Sequence, residues 1–451
     1  MAIVEGAGPA PVKGPLERLL APIADVHPGE AAGVLLLTLM MFLLLSGYYL
    51  LKTAREVFIL SEGGAEVKSY ASAGQALLLL ILVPAYGAFA SRVNRKQLVT
   101  RVTLFFASHV VIFALATKAG LRVGIPYFLW VGIFNVMVIA QFWAFANDLY
   151  TPEQGKRLFP LIGVGSSLGA WLGSVRAGVL MESMGPLRLL AGGGAVLVVC
   201  VVLARLADRY ARTAASASAT SPQHQDAALG HSQSGFGMLL SDRYLLLIAV
   251  LTLLLNVVNT TGEYLFGRYV VQSAAAIYGS GPGTAAARQQ FIGESYSSLF
   301  SAVNLVGLVL QMFVVSRLFK YLGVGRSLFI HPIVAASGYV LMLGAPSFGA
   351  MRVVKTLDNA LDYSLGNTTK QALWLPTSRQ AKYKAKQAVD SFCVRAGDVV
   401  SAGIVYAGEV ASFGIPVFAA LNVALGAAWL VVVSSLNRRL EARAAEQAAP
   451  L

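Results

Sequence analysis

Residues 47–60 read GYYLLKTAREVFIL and end an apolar run that begins near residue 34. Lys52, Arg55 and Glu56 thus fall where lipid hydrocarbon would still surround the chain. A charged side chain at the bilayer centre costs about 2.5–3.5 kcal/mol on insertion scales, so such residues face a bundle interior or a water-filled cavity. The stretch predicts a membrane helix with one polar face turned toward other helices.

The composition of the whole chain agrees with this prediction. Its 451 residues are 56% hydrophobic and 13% charged, whereas soluble domains carry about 25% charged residues. Windows of about 20 apolar residues mark the helices that span a bilayer. Twelve such windows lie at residues 34–58, 70–91, 102–117, 124–147, 158–181, 187–204, 244–267, 293–316, 327–344, 353–369, 389–409 and 413–436.

Lysine and arginine are distributed unevenly between the segments that join these helices. With a cytoplasmic N-terminus, 23 of them fall in cytoplasmic segments and 7 in outer segments, one of which is Lys68. Because cytoplasmic loops carry an excess of Lys and Arg, we expect a multi-pass protein of the bacterial inner membrane with both termini cytoplasmic. The asymmetry accounts for most of the net charge of +13, and no aromatic–basic pattern indicates nucleic-acid binding.

A polar linker rich in Ala, Ser, Gln and Gly, residues 209–242, separates six predicted helices from six. The two halves resemble each other: TPEQGKR (151–157) matches TSRQAKY (377–383), and Glu56 in KTAREVFIL matches Glu263 in NTTGEYLFG. We therefore predict an all-α polytopic membrane protein with twelve transmembrane helices in two six-helix halves, like the major facilitator transporters. The predicted segments are a cytoplasmic N-terminal segment (1–33), the halves (34–208 and 243–437), the linker (209–242) and a cytoplasmic tail (438–451).

Motifs for catalysis and cofactor binding are absent from the sequence. It has no P-loop, no H-E-x-x-H, no G-x-S-x-G in a strand–turn–helix setting and no His-rich cluster. Cys200 and Cys393 both lie in apolar segments and indicate no disulfide framework. We therefore expect neither an enzyme nor a bound metal or cofactor.

Polar residues in four predicted helices recur at the i, i+3, i+4 and i+7 spacing that places side chains on one helix face. Arg and Lys hold phosphate or carboxylate through charge-assisted hydrogen bonds, so cations that converge on a cavity predict a small anionic substrate. The four stripes are Tyr48, Lys52, Arg55 and Glu56; Asn256, Asn259, Thr260 and Glu263; Lys355, Asp358, Asn359 and Asp362; and Ser391, Arg395 and Asp398.

Two main roles are open for these charges, with interfacial snorkelling of the cations as a minor third. In the first, the cations bind the anion; these are Lys52, Arg55, Lys355 and Arg395. In the second, they form structural or gating ion pairs: Lys52 with Glu56, Arg395 with Asp398, and Lys355 with Asp358 or Asp362. The candidates for gating or proton coupling are Glu56, Glu263, Asp358, Asp362 and Asp398.

Gly165, Gly169 and Gly173 in the fifth predicted helix form a doubled G-x-x-x-G motif. Small residues at this spacing let two helices approach closely. The motif therefore predicts tight helix packing. Arg176 follows the motif and faces either outward or into the site.

Three stretches resemble the ATP/ADP translocases, the nucleotide transporter family of plastids and intracellular bacteria. They are YYLLKTAREVFIL (48–60), QFWAFANDLYTPEQGKRLFPLIGVGSSLGA (141–170) and DYSLGNTTKQALWLPTSRQAKYKAKQAVD (362–390). The resemblance extends over nearly the whole chain. It implies a carrier in the lipid bilayer that exchanges ATP for ADP by alternating access and needs no cofactor.

The resemblance also implies roles for single residues. The family's Lys and Asp of the first span fall on Arg55 and Glu56, and its seventh-span Glu falls on Asn259, with Glu263 one turn later. Asn259 thereby joins the predicted substrate-binding residues. Val131 stands where the family has a buried Glu. The family's K-x-K-G-K cluster falls on Lys382, Lys384 and Lys386.

Two alternatives to nucleotide exchange are left open by the sequence. One is a transporter of another anionic solute, with proton coupling as an option. The other is a non-transporting membrane module that recruits a partner through the basic segment 379–386.

Overall fold

The computed structural model is helical throughout, and it describes residues 14–20, 25–90, 95–215, 235–378 and 380–448, which contain no β-strand. The first helices are α1 (Pro15–Leu20), α2 (Ala31–Ala90), α3 (Arg95–Lys118), α4 (Gly124–Leu149), α5 (Pro152–Met184) and α6 (Pro186–Ala215). They are followed by α7 (Gly235–Ser241), α8 (Arg243–Tyr278), α9 (Ala285–Val309), α10 (Val315–Ser327), α11 (Ile330–Gly344), α12 (Phe348–Leu361), α13 (Asn367–Ala372), α14 (Lys386–Ala388), α15 (Val394–Val410) and α16 (Ile415–Ala448). A 3₁₀ turn, Pro282–Thr284, precedes α9, and π-helical turns lie at Leu310–Val314, Asp362–Gly366, Ala381–Ala385 and Val389–Cys393.

The twelve predicted membrane spans fall on helical stretches of the described chain, apart from short non-helical ends at 328–329 and 413–414 and residue 91, which lies outside it. Eight helices of the described chain are long and apolar enough to cross a membrane, and the first covers two predicted spans. The predicted spans 353–369 and 389–409 are interrupted by π-helical turns and carry charged stripes, which makes them less apolar. The predicted all-α polytopic fold is confirmed.

Helix α2 departs most from the sequence prediction. Residues 59–69, predicted as an outer loop, are helical on both sides of Gly64, so the loop is much shorter than predicted and is reduced to a turn at that residue. The helix bends at Gly64, whose φ of 76° and ψ of −174° are accessible to glycine but strained for other residues. Lys68 is therefore not a loop cation; it lies on this helix and only 7% of it is exposed.

The doubled G-x-x-x-G motif of α5 packs against α2, which confirms tight packing as its role. A Cβ atom on Gly165 would lie 2.6 Å from the carbonyl oxygen of Thr38, and one on Gly169 would overlap the carbonyl of Phe42. Only glycine lets the two backbones approach this closely. Arg176 lies beyond the motif on an exposed face.

The segment predicted as a linker is partly helical at both edges. Helix α6 continues to Ala215, and α7 lies before Asp242, the N-cap of α8. Residues 216–234 lie outside the described chain. The division into the predicted segments stays a prediction.

One ion pair in each half fixes the helix ends that adjoin the Lys- and Arg-rich segments, which we call the inner ends. Arg157 lies 3.0 Å from Glu30 before α2, and Arg443 lies 2.6 Å from Asp242 before α8. Burial acts to raise the pKa of Glu30, but hydrogen bonds from Arg157 and other donors hold it below the ordinary value of 4.5. Burial opposes the Arg443 hydrogen bond in the same way at Asp242, whose pKa is also lowered.

The two halves meet through α2 and α5 on one side and α8, α9 and α15 on the other. At the outer ends, Gln289 Nε2 donates to Ser61 Oγ at 3.4 Å across this interface. The rings of Tyr70 and Tyr406 also meet there, with 6.3 Å between centroids. These contacts join the two halves at this end of the interface.

Candidate functional site

A cavity of about 190 Å³ lies between the halves, beside the bend in α2. The residues that line it from the first half are Lys52, Arg55, Glu56, Ala65, Lys68, Ser69, Ser72, Gln75 and Phe128. Those from the second half are Asn259, Thr260, Glu263, Tyr264, Phe300, Asn359 and Tyr363. Three of the predicted substrate-binding residues therefore line one cavity: Lys52, Arg55 and Asn259.

Glu56 is fully buried and is held by two cations of its own helix. The guanidinium of Arg55 donates to Glu56 Oε1, and the ammonium of Lys68 lies 2.8 Å from Oε2. The proposed pair between Lys52 and Glu56 is wrong, because Arg55 and Lys68 take both carboxylate oxygens. The bend at Gly64 folds α2 back so that a lysine twelve residues further on reaches this carboxylate.

Lys68 also bridges the two halves. Its ammonium lies 3.3 Å from Glu263 on α8 and donates to the hydroxyl of Tyr296 on α9 at 3.1 Å. Glu56 and Glu263, which the sequence repeat pairs with each other, therefore share one lysine. The sequence analysis missed Lys68, although Lys68, Ser72 and Gln75 follow the i, i+4, i+7 spacing of a polar stripe.

Beyond Glu263, the series of interacting polar side chains continues within the second half. Lys355 is fully buried and lies 3.6 Å from Glu263 and 3.1 Å from Asp358. It also donates to the backbone and side-chain oxygens of Asn259, at 3.0 and 2.5 Å. Asn359 donates to Glu263 at 3.1 Å. Lys355 is therefore a support for the cavity wall and does not line the cavity.

Lys52 differs from the other cations of the site. Among the described residues, no carboxylate lies within ion-pair distance of its ammonium. Its neighbours are aromatic: the nitrogen lies 4.2 Å from the ring centroid of Phe300 and 5.2 Å from that of Tyr49. Ring faces attract a cation by their quadrupole but add no charge to compensate it. Arg55 is similarly placed over Phe128, at 4.6 Å.

Three further predicted residues, Arg395, Asp398 and Asp362, do not line the cavity. Arg395 pairs with Asp398 at 3.6 Å, as one alternative proposed, and Asp398 also accepts from Asn256 at 2.9 Å. Asp362 begins a π-helical turn and pairs with Lys370 at 3.4 Å. Of the two partners expected for Lys355, Asp358 is the one observed, at 3.1 Å, while Asp362 pairs with Lys370. The four stripes thus meet only in part.

The three lysines between the tenth and eleventh predicted spans also lie away from the cavity. Lys382 and Lys384 are part of the π-helical turn Ala381–Ala385. Lys386 lies 3.9 Å from Asp390. Their positive charge therefore flanks the inner end of α15 and does not contribute to the cavity lining.

The chain matches a curated carrier over nearly its full length. It is 23% identical to ADP,ATP carrier protein 1 of Chlamydia trachomatis serovar D, over 94% of this chain and 92% of that protein. The chain is similar to bacterial ADP,ATP carriers. This confirms the resemblance seen in the three stretches, while no protein-family model matches the chain.

Solved structures agree on the fold. The nucleoside transporter NupG gives a TM-score of 0.62 at 14% identity, covering 89% of this chain and 98% of that one. A bacterial homologue of the iron transporter ferroportin, in an inward-facing state, gives 0.61 at 13% identity, covering 90% and 98%. At such low identity the likeness establishes the major facilitator type of fold and nothing more.

Proposed function

We propose that the chain is a membrane transporter that exchanges nucleotides of the ATP and ADP type by alternating access. The observation that carries the proposal is Lys52, an ammonium at the cavity with aromatic neighbours and no carboxylate partner among the described residues. The similarity to an ADP,ATP carrier supports nucleotides as the cargo.

The charge balance around the cavity favours an anionic ligand. Three cations face three carboxylates in the polar chain: Arg55, Lys68 and Lys355 against Glu56, Glu263 and Asp358. Lys52 is then in excess by one charge. An ion in a low-dielectric site is costly unless it is paired, so a phosphate group that binds Lys52 completes the site.

The same network of ion pairs links anion binding to the relative movement of the two halves. A ligand can shift a conformational equilibrium only through a difference in affinity between the two states. Lys68 holds Glu263 across the interface of the halves. An anion that takes Lys68 from Glu263 weakens this link and favours separation of the outer ends.

The cavity volume bears on the size of the cargo. About 190 Å³ is less than the roughly 300–1,000 Å³ of sites for drug-sized ligands. In this state the space beside Lys52 and Arg55 accommodates phosphate groups, and a nucleoside requires the halves to open further. The small volume, together with Val131 in place of a buried acid, favours a smaller anion as the second candidate.

Counterflow in proteoliposomes tests the proposal. Vesicles that hold unlabelled ADP should accumulate labelled ATP or ADP only while internal nucleotide is present. Lys52→Ala should abolish this uptake at unchanged folded yield, because it removes a cavity cation and breaks no ion pair among the described residues, whereas the exposed Arg176→Ala should not. Normal uptake by Lys52→Ala would contradict the site. Uptake of only smaller anions favours the second candidate, and no flux of any anion favours a non-transporting module.

A further inference from the structure

A buried histidine lies on the far side of the ion network from the cavity. His331 of α11 is 4% exposed, and its Nε2 lies 3.0 Å from Asp358 Oδ1. Asp358 uses its other oxygen to bind Lys355, which in turn lies 3.6 Å from Glu263 in the cavity wall. The charge of His331 therefore acts on the cavity through two intervening side chains.

Among the described residues, none forms a hydrogen bond with the second ring nitrogen of His331. It faces a narrow gap over the π-helical turn at Gly366. A Cβ atom on Gly366 would lie 3.1 Å from His331 Nδ1, 3.2 Å from the carbonyl oxygen of Leu361 and 3.4 Å from Asp362 Oδ1. Two acceptor oxygens thus border the same gap as the free nitrogen. A proton on Nδ1 would find a hydrogen-bond acceptor after a small adjustment.

The surroundings of His331 contain few other charges. Helix α12 contributes Asp358 with Lys355 behind it, and the π-helical turn contributes Asp362 with its partner Lys370. Helix α16 presents the ring of Trp429, at 4.8 Å between centroids. The sequence of α16 from residue 415 to residue 437 contains no charged residue.

These contacts form a nearly continuous polar path through the second half. It starts at Lys370 and Asp362, 3.4 Å apart near the inner end, and crosses the gap at Gly366 to His331. It then continues through Asp358 and Lys355 to Glu263 at the cavity. Long buried chains of titratable groups in membrane helices mark proton pathways.

We propose that His331 binds a proton and couples anion transport by this chain to pH, an inference that rests on the proposed transport function. Histidine changes charge between about pH 5 and 8 without other assistance. With neutral imidazole, Nε2–H donates to Asp358 and the three carboxylates balance the three paired cations. Protonation of Nδ1 adds one positive charge next to Asp358. Asp358 then binds Lys355 less strongly, and Lys355 turns toward Glu263 in the cavity wall.

Exchange between proteoliposomes and medium at several pH values tests this inference with labelled ADP. An unperturbed imidazole changes charge between about pH 5 and 8, so the wild-type rate should change across this range. His331→Gln keeps a donor for Asp358 but cannot take a proton. It should retain exchange and lose the pH response. His109→Gln is the matched control, because His109 lies on α3 and bonds only to the carbonyl of Phe105.

A second readout needs no substrate. The melting temperature of the purified full chain in detergent, followed from pH 5 to 8, should contain a step that His331→Gln removes and His109→Gln retains. Gly366→Ala should shift or remove the same step, because its Cβ fills the gap beside Nδ1. This second variant guards against a folding defect in the first.

The outcomes separate the two proposals. A pH response that persists in His331→Gln, in rate or in melting temperature, would overturn the proton site. So would wild-type exchange that is independent of pH. A step that depends on His331 in a protein that exchanges no nucleotide leaves the proton site standing and refutes the nucleotide cargo instead.

Discussion

The two halves face the shared cavity with opposite charge. The first half contributes Lys52, Arg55 and Lys68 with one carboxylate, Glu56, whereas Glu263 is the charged lining residue of the second half. In the second half, Lys355 pairs with Asp358 behind the cavity wall, and Arg395 pairs with Asp398 on α15. The halves are therefore alike in helix order and unlike in the chemistry that they present to a ligand.

This difference indicates which cations in membrane helices are candidates for anion binding. All four predicted cations lie on polar stripes, yet their partners divide them into two groups. Arg55, Lys355 and Arg395 each have a carboxylate of their own helix within ion-pair distance, namely Glu56, Asp358 at 3.1 Å and Asp398 at 3.6 Å. Lys52 has none among the described residues. A cation in a stripe is a candidate for anion binding when its own helix does not neutralise it.

The largest effect should come from Lys52→Met compared with Arg395→Met. Methionine can occupy the space beside Phe300, so packing is kept while the charge is lost. A hydrogen bond to a charged group is worth about 1.5–3 kcal/mol, which corresponds to about 10- to 150-fold in nucleotide affinity. Arg395→Met should change affinity less than about threefold, since its charge serves Asp398. Equal losses of nucleotide affinity in the two variants, measured in binding assays, would contradict this difference between Lys52 and Arg395.

A smaller, opposite effect is expected from Glu263→Gln compared with Asp398→Asn. The neutral amide of the first variant would no longer compete with the ligand for Lys68, so nucleotide affinity should rise by about one order of magnitude at most. The maximal exchange rate should fall, because tighter binding slows release. Asp398→Asn should leave both nearly unchanged. Weaker binding by the Glu263 variant, measured on folded protein, would indicate that Glu263 positions the cations and does not compete.

The smallest effect concerns the inner ends, where the halves should behave alike. The pKa values of Glu30 and Asp242 are lowered in the folded protein, so their stabilisation is present above 4.5 and 3.8 and is lost as pH falls through the lower folded values. Glu30→Gln and Asp242→Asn should each lower the melting temperature by about 1–4 °C at pH 7. The melting temperature of each variant should also fall less than that of the wild type on acidification toward about pH 3. A lower melting temperature in only one of these two variants would show that the halves differ at their inner ends as well as at the cavity.

The helices and the polar stripes were predictable because each depends on residues close together in sequence. All twelve hydropathy windows fall, apart from short ends, on helical stretches of the described chain, in which eight helices are long and apolar enough to span a membrane. The small-residue spacing of α5 indicated close packing but not its partner, α2. The partners of the charged residues were harder to predict from the sequence. Glu56 pairs with a residue twelve positions away, and Lys68 pairs with one in the other half of the chain. Such pairs are decided by how the helices pack.

The bend in α2 explains the main error. Gly63 and Gly64 interrupt the apolar pattern and lie among charged residues, as a loop would. In the structure the helix continues on both sides of Gly64 and buries Lys68. Extending the polar spacing of Ser72 and Gln75 backwards by one turn would have placed Lys68 on the same face.

The position of Lys52 on aromatic rings has a consequence for the cell. A carrier whose empty site holds one uncompensated charge must carry that charge each time it reorients. Moving one charge through a potential of about 100 mV costs about 2.3 kcal/mol. In the proposed exchanger, reorientation of the empty site is therefore sensitive to the membrane potential, and a bound anion changes the charge that moves. A penalty on empty cycles would favour exchange over leakage.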